Sequence, residues 1–147
     1  MARTPLIVQS GQAGEPLKVV GAEISILAAN QATGGMGFTL QQGDEGTGPP
    51  PHSHPWDEAF FVLDGQVEFI LDGAGTMLQP GALVHVPGGS PHAFRFGPGG
   101  GMMLEVTGPG SNAAQMFRDF DAEMPPDRMD IIKAVEIFDR HGVSLMG

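Results

Sequence analysis

The 147 residues carry seventeen acidic against seven basic side chains, a formal net charge of −10, which argues against nucleic acid or an anionic membrane surface as a partner. Cysteine is absent, and with it disulfides, thiolate ligands and cysteine nucleophiles. The 23 glycines and 13 prolines are spread among short apolar runs, a composition that excludes a helix bundle and suits one turn-rich β domain.

The opening stretch MARTPLIVQSGQAGEP lacks the apolar centre of a leader, and no run approaches membrane-spanning length. A soluble, cytoplasmic protein is therefore expected. Strands are predicted over 17–29 and 36–42, the latter with Met36, Phe38 and Leu40 on one face and Gly37, Thr39 and Gln41 on the other. A Gly- and Pro-rich loop leads to His52. Further strands follow at 58–63, 66–72, 76–78, 82–87, 92–96 and 102–107, divided by turns that include Asp64-Gly65, Asp72-Gly73 and the glycine run 97–101. In the first of these, Phe60 and Val62 share the parity of Glu58 while Ala59, Phe61 and Leu63 take the other face. Such a strand needs cover on both sides, so a homodimer is expected, with a tail folded back on its own barrel as the alternative.

After Gly110 the pattern turns helical. Residues 111–124 read as a short helix capped by Ser111 or Asn112 and stopped by Pro125-Pro126. A second helix starts at Pro126 and Asp127, carries Ile131, Ala134, Val135 and Phe138 at helical spacing, and ends before Gly142.

The stretch PPPHSHPWDEAFFVLDG concentrates the chemistry. Strand parity lets His52 and His54 present their imidazoles to one point with Glu58 in phase, and requires an irregularity at Pro55-Trp56-Asp57. His92 opens a later strand behind a Ser-Pro pair. Three imidazoles and one carboxylate suit a single divalent transition ion, Mn, Fe, Co, Ni, Cu or Zn, with positions left open for water or substrate. An isolated His-x-His is more often an ordinary strand feature; the second segment changes that balance. His85 falls out of phase with Val84 and Val86 and reads as a partly exposed strand residue. His141, beside Gly142 at a helix end, reads as a partner of the helix dipole.

Gly46, His52, His54, Glu58 and Gly65 match the first cupin motif, G-x5-H-x-H-x3-E-x6-G, and Gly81, Pro87, Gly89 and His92 match the second, G-x5-P-x-G-x2-H. The chain thus resembles a single-domain cupin, similar to the small quercetin dioxygenase-like members. The resemblance implies an all-β fold, a double-stranded β-helix or jelly-roll barrel over about 17–107, with a short helical tail over about 111–142, in one domain spanning 1–147. It maps the metal ligands onto His52, His54, Glu58 and His92. Phe96 stands where the second motif often has asparagine.

Phe38, Leu40, Phe60, Phe94 and Phe96 are candidates for a substrate pocket that is apolar except at the ion, although any one of them could instead fill the closed end of the barrel. Among cupin activities, those that need a tyrosine acid or base, including dimethylsulfoniopropionate lyases, are disfavoured because the chain has no tyrosine. With few cations near the predicted site, a neutral small-molecule substrate chelating through hydroxyl and carbonyl oxygens fits better than a phosphosugar or dicarboxylate. The resemblance then implies an oxygenase acting on a flavonol-like enol, with Glu58 both ligand and catalytic base through a raised pKa. The alternatives are a redox-neutral cyclase or isomerase of an aromatic or polyketide-like substrate, and a non-catalytic small-molecule binder.

Overall fold

The computed structural model describes residues 3–125 and 128–146. Its strands are β1 (Leu17–Val19), β2 (Ala22–Ala28), β3 (Gly37–Gly43), β4 (His52–Ser53), β5 (Glu58–Leu71), β6 (Ala74–Leu78), β7 (Leu83–Val86), β8 (His92–Thr107) and β9 (Ser144–Leu145), with helices α1 (Asn30–Thr33), α2 (Ala113–Glu123) and α3 (Ile131–Arg140). Every strand pairing is antiparallel. The result is an all-β jelly roll with a helical tail.

Two long strands set the architecture. The turns expected at Asp64-Gly65 and 97–101 are bends inside β5 and β8, not ends of strands. Residues 58–65 of β5 pair with 101–107 of β8 in one half of the barrel, and 67–71 pair with 92–96 in the other. Both strands bend together because their backbones nearly touch. Gly65 has φ of 71°, and a Cβ there would lie 2.1 Å from the carbonyl oxygen of Gly100; only glycine fits. Asp72-Gly73 does form a hairpin, with both residues at positive φ as a type I′ turn requires. The predicted strand 17–29 is also divided, since Val20 and Gly21 turn β1 back onto β2.

The barrel core holds Phe60, Val62, Val67, Phe69, Val84, Val86, Phe94, Phe96 and Met103. A second core lies between barrel and tail, where Ile24 of β2 and Trp56 meet Phe117, Phe120, Ile137 and Phe138 of the tail. The tail therefore covers its own barrel. It is fixed to the barrel at two points: the backbone N–H of Lys18 donates to Asp121 Oδ1 at 2.8 Å, and β9 pairs with β4. Within the tail, Asp130 caps α3 by accepting from the Lys133 N–H at 3.0 Å. Pro126 and Asp127, expected at the helix boundary, lie outside the described residues. The outer face of β5 is left uncovered by the tail: Phe61 and Leu63 are 39% and 43% exposed, and Leu83 beside Phe61 is 68% exposed.

Candidate metal centre

Two short segments build the site by docking on each other. His52 in β4 is the register partner of His92 at the start of β8. The irregular segment after β4 is tied to the β7–β8 loop, with Gly89 N–H donating to the His54 carbonyl at 2.8 Å and Gly88 N–H to Asp57 Oδ1 at 2.7 Å. A Cβ on Gly88 would sit 2.3 Å from the Pro55 oxygen, so the approach needs glycine. Trp56 occupies the expected irregularity. Its ring stacks on His54 at 4.2 Å with 8° between planes and reaches into the tail core. Among the described residues, its Nε1–H is the single buried side-chain donor or acceptor without a partner, at a cost of about 1–3 kcal/mol.

One ligand atom from each of His52, His54, Glu58 and His92 lies within 4.8 Å of the others. His54, Glu58 and His92 are buried and His52 is half-buried. Each imidazole has Nδ1 against a backbone carbonyl, at 2.8 Å to Pro50, 3.0 Å to Trp56 and 2.9 Å to Ser90. These bonds assign the proton to Nδ1 and leave the Nε2 lone pairs facing inward. There the Nε2 atoms of His54 and His92 approach Glu58 Oε1 at 3.0 and 2.6 Å. Lone pairs held this close need a cation between them, a proton or a metal ion. The donor set fits a divalent transition ion.

Burial would raise the Glu58 pKa, but the hydrogen bonds from His54 and His92 outweigh it and bring the carboxyl down to about 2. The expected direction, upward, is thus reversed. Burial lowers His52 to about 4, helped by neighbouring His92. For His92 burial is likewise the largest influence, yet the hydrogen bond and charge of Glu58 prevail and raise it.

The cluster borders a cavity of ≈ 220 Å³ between barrel and tail. Of the pocket candidates, Phe60 and Phe94 line it. Phe38 and Leu40 do not: β3 turns Gly37, Thr39 and Gln41 inward, leaving those two half-buried on the outer face. Phe96 packs against Phe94 in the barrel core, outside the cavity lining. Sequence reasoning missed Gln41 and Glu105, which do line the cavity. Glu105 is buried, accepts from Thr39 Oγ1 at 3.0 Å, and has its pKa pushed well above the usual carboxylate range by burial and then by the charge of Glu58. The available signal was parity, since Glu105 falls in phase with buried Met103 and Thr107. His85 is exposed. His141 ends α3 and pairs its Nε2 with Asp119 Oδ2 at 2.6 Å, a side-chain partner in addition to the helix end.

A family profile described as "Cupin domain" matches residues 38–106. Over 97 residues the chain is 32% identical to the quercetin 2,3-dioxygenase of Bacillus subtilis (strain 168), covering 64% of this chain and 28% of that one. Over 47 residues it is 45% identical to the dimethylsulfoniopropionate lyase DddQ of Ruegeria pomeroyi, covering 31% and 23% respectively. The matches thus span about a quarter of the length of these curated relatives. An RmlC-like cupin from Shewanella frigidimarina shares the fold, with a TM-score of 0.64 at 19% identity over 74% of this chain and 95% of that one.

Proposed function

The chain is a small cupin with a buried cluster of three histidines and one glutamate, and from that premise we propose that it is a metal-dependent oxygenase acting on a small aromatic or flavonol-like enol. One observation carries the reading. Three of the four cluster residues, His52, His54 and Glu58, line a cavity whose walls are mostly apolar and, among the described residues, include no lysine or arginine. An anionic sugar phosphate or dicarboxylate would find no cationic side chain there, and only the ion itself, whose charge is already shared with Glu58, to offset its own. A neutral chelator loses little on entry. The partial similarity to quercetin 2,3-dioxygenase supports the same substrate class.

A divalent transition ion on His52, His54, Glu58 and His92 would supply Lewis acidity to an enol oxygen and one-electron chemistry toward dioxygen. The chain's own groups do the rest. The Nδ1 bonds of the three histidines hold the imidazoles in place. Glu58 would serve as ligand and, ionised because its carboxyl is held low, as a weak acceptor for the enol proton. Glu105 keeps a second carboxyl, held protonated by burial, at the cavity wall.

That proton-holding residue also favours a second reading, a redox-neutral cyclase or isomerase that moves protons on an aromatic or polyketide-like substrate. Chemistry that draws on a tyrosine acid or base, by contrast, finds no such residue in this sequence. Metal-loaded protein is to be incubated with flavonols, catechols and small polyketide enols while oxygen uptake and absorbance are followed. Oxygen consumption coupled to loss of an enol is expected. Conversion without oxygen uptake would favour the second reading, tight binding without turnover a binder, and turnover of phosphosugars or dicarboxylates alone would overturn the proposal. We also propose a homodimer that covers the apolar outer face around Phe61 and Leu83.

A further inference from the structure

We propose that the helical tail selects the ligand: Met116 and Phe117 of α2, Val135 and Phe138 of α3 and Leu145 of β9 form the wall against which the apolar body of a metal-chelating molecule lies. All five line the cavity that His52, His54 and Glu58 also line. All five also lie outside the stretch 38–106 matched by the family profile. The barrel supplies the metal-directed groups together with apolar lining such as Ile24, Phe60 and Phe94, and the tail adds a further apolar wall with no charged or hydrogen-bonding side chain among its lining residues.

The wall is held at fixed distance from the cluster. β9 pairs directly with β4, placing Leu145 opposite His52 in register. At the other end, Asp121 of α2 binds the backbone of Lys18 in β1. Between them Phe120 and Phe138 pack edge to face at 4.9 Å. Val135 lines the cavity while 45% exposed, and Ile131 does so while 72% exposed, so these two stand at the rim where a ligand enters. The cavity exceeds the roughly 150 Å³ of an engineered apolar cavity that takes up benzene. It accepts a chelating ring that bears a further apolar group. Ligands with the same oxygen donors should thus be ranked by the apolar body they place against the tail.

The inference rests on the metal-centre reading, and its test separates the two. Full-length protein loaded with zinc, which is redox-inert, is titrated with maltol and with 3-hydroxyflavone. These share one hydroxyl–carbonyl chelating pair and differ in apolar body. Zinc content, circular dichroism and binding by calorimetry and absorbance are recorded for the wild type, Val135→Trp and Ile131→Trp. The wild type should bind 3-hydroxyflavone at least about tenfold more tightly than maltol. Val135→Trp, filling the rim, should lose most of that preference while zinc content and maltol affinity stay within about twofold. Ile131→Trp, at a more exposed position, should do the same to a smaller degree and covers the case in which Val135→Trp misfolds. Equal affinity for the two probes, or a preference unchanged in both variants, overturns the tail assignment and leaves the metal centre standing. Stoichiometric zinc with neither probe bound would instead overturn the chelating-enol reading on which the assignment depends.

Discussion

His52 stands opposite His92 in the register between β4 and β8, so a single backbone pairing brings together two members of the candidate metal cluster that are far apart in sequence. Their spacing is thereby set by strand geometry. Removing one imidazole of that cluster should be costly for metal and cheap for fold. In protein prepared without a polyhistidine tag, His54→Ala should lose most of its bound ion by elemental analysis, with circular dichroism unchanged. A full equivalent at unchanged affinity would show that the ligands are wrong.

Metal affinity should fall as pH falls. His92 is raised above its ordinary value, so in the metal-free fold it takes up a proton early as pH drops and competes with the ion. His52, lowered to about 4, joins that competition only in stronger acid. The folding contributions run in opposite directions: that of His92 is complete below its unfolded value and lost as pH rises through the raised one, whereas that of His52 is present above its unfolded value and lost as pH falls toward about 4. The clean readout is the difference between metal-loaded and metal-free protein. The rise in Tm produced by zinc should shrink between about pH 7.5 and about pH 5.5. A rise that grows on acidification would contradict the site.

Glu105 is buried with a bond from Thr39 and with Glu58 for a neighbour. Glu105→Gln keeps the shape and the hydrogen-bonding capacity, and should hold stability to within about 1 kcal/mol. Glu105→Leu leaves polar neighbours unpaired and should cost about 1–3 kcal/mol in denaturant unfolding. Equal stability of the two variants would mean that the carboxyl has no structural partner worth the name.

Phe120 is 1% exposed and packs against Phe138 in the core shared by the tail and β1–β2. Phe120→Ala should cost about 3–5 kcal/mol and make residues of α2 and α3 the first to be cut by protease. Cleavage that begins in the barrel would show that the tail is not held by this contact.

On the outer face, Leu83 and Phe61 are register partners, with Leu104 next to Phe61 on the far side. Sedimentation at micromolar concentration should give a dimer for the wild type and a monomer for Leu83→Glu. A wild-type monomer would remove the proposed dimer.

The cluster of His52, His54, Glu58 and His92 was legible because its spacing is a property of strands: alternate side chains share a face, and the docking glycines recur at fixed offsets. The barrel's lining was harder to read. Pattern reasoning places apolar residues inward, but at β3 the inward face is polar, Thr39 and Gln41, because it meets Glu105 and the metal end. Phe38 and Leu40 went to the wrong side for that reason. Strand ends were misread at Gly65 and at 97–101 for a related one, since glycine marks both a turn and a place where two backbones touch. The division of the cavity between barrel and tail was not legible at all, because it depends on contacts between segments that no local pattern joins.

Trp56 is the chain's only tryptophan, and tyrosine is absent. Its ring lies flat on His54 of the candidate metal cluster and also borders the cavity. Near-ultraviolet emission from this protein therefore comes from one indole at the centre of the site. Cobalt, nickel or copper should quench that emission far more than zinc, and an aromatic guest should shift it, so that loading and occupancy become visible without any added label.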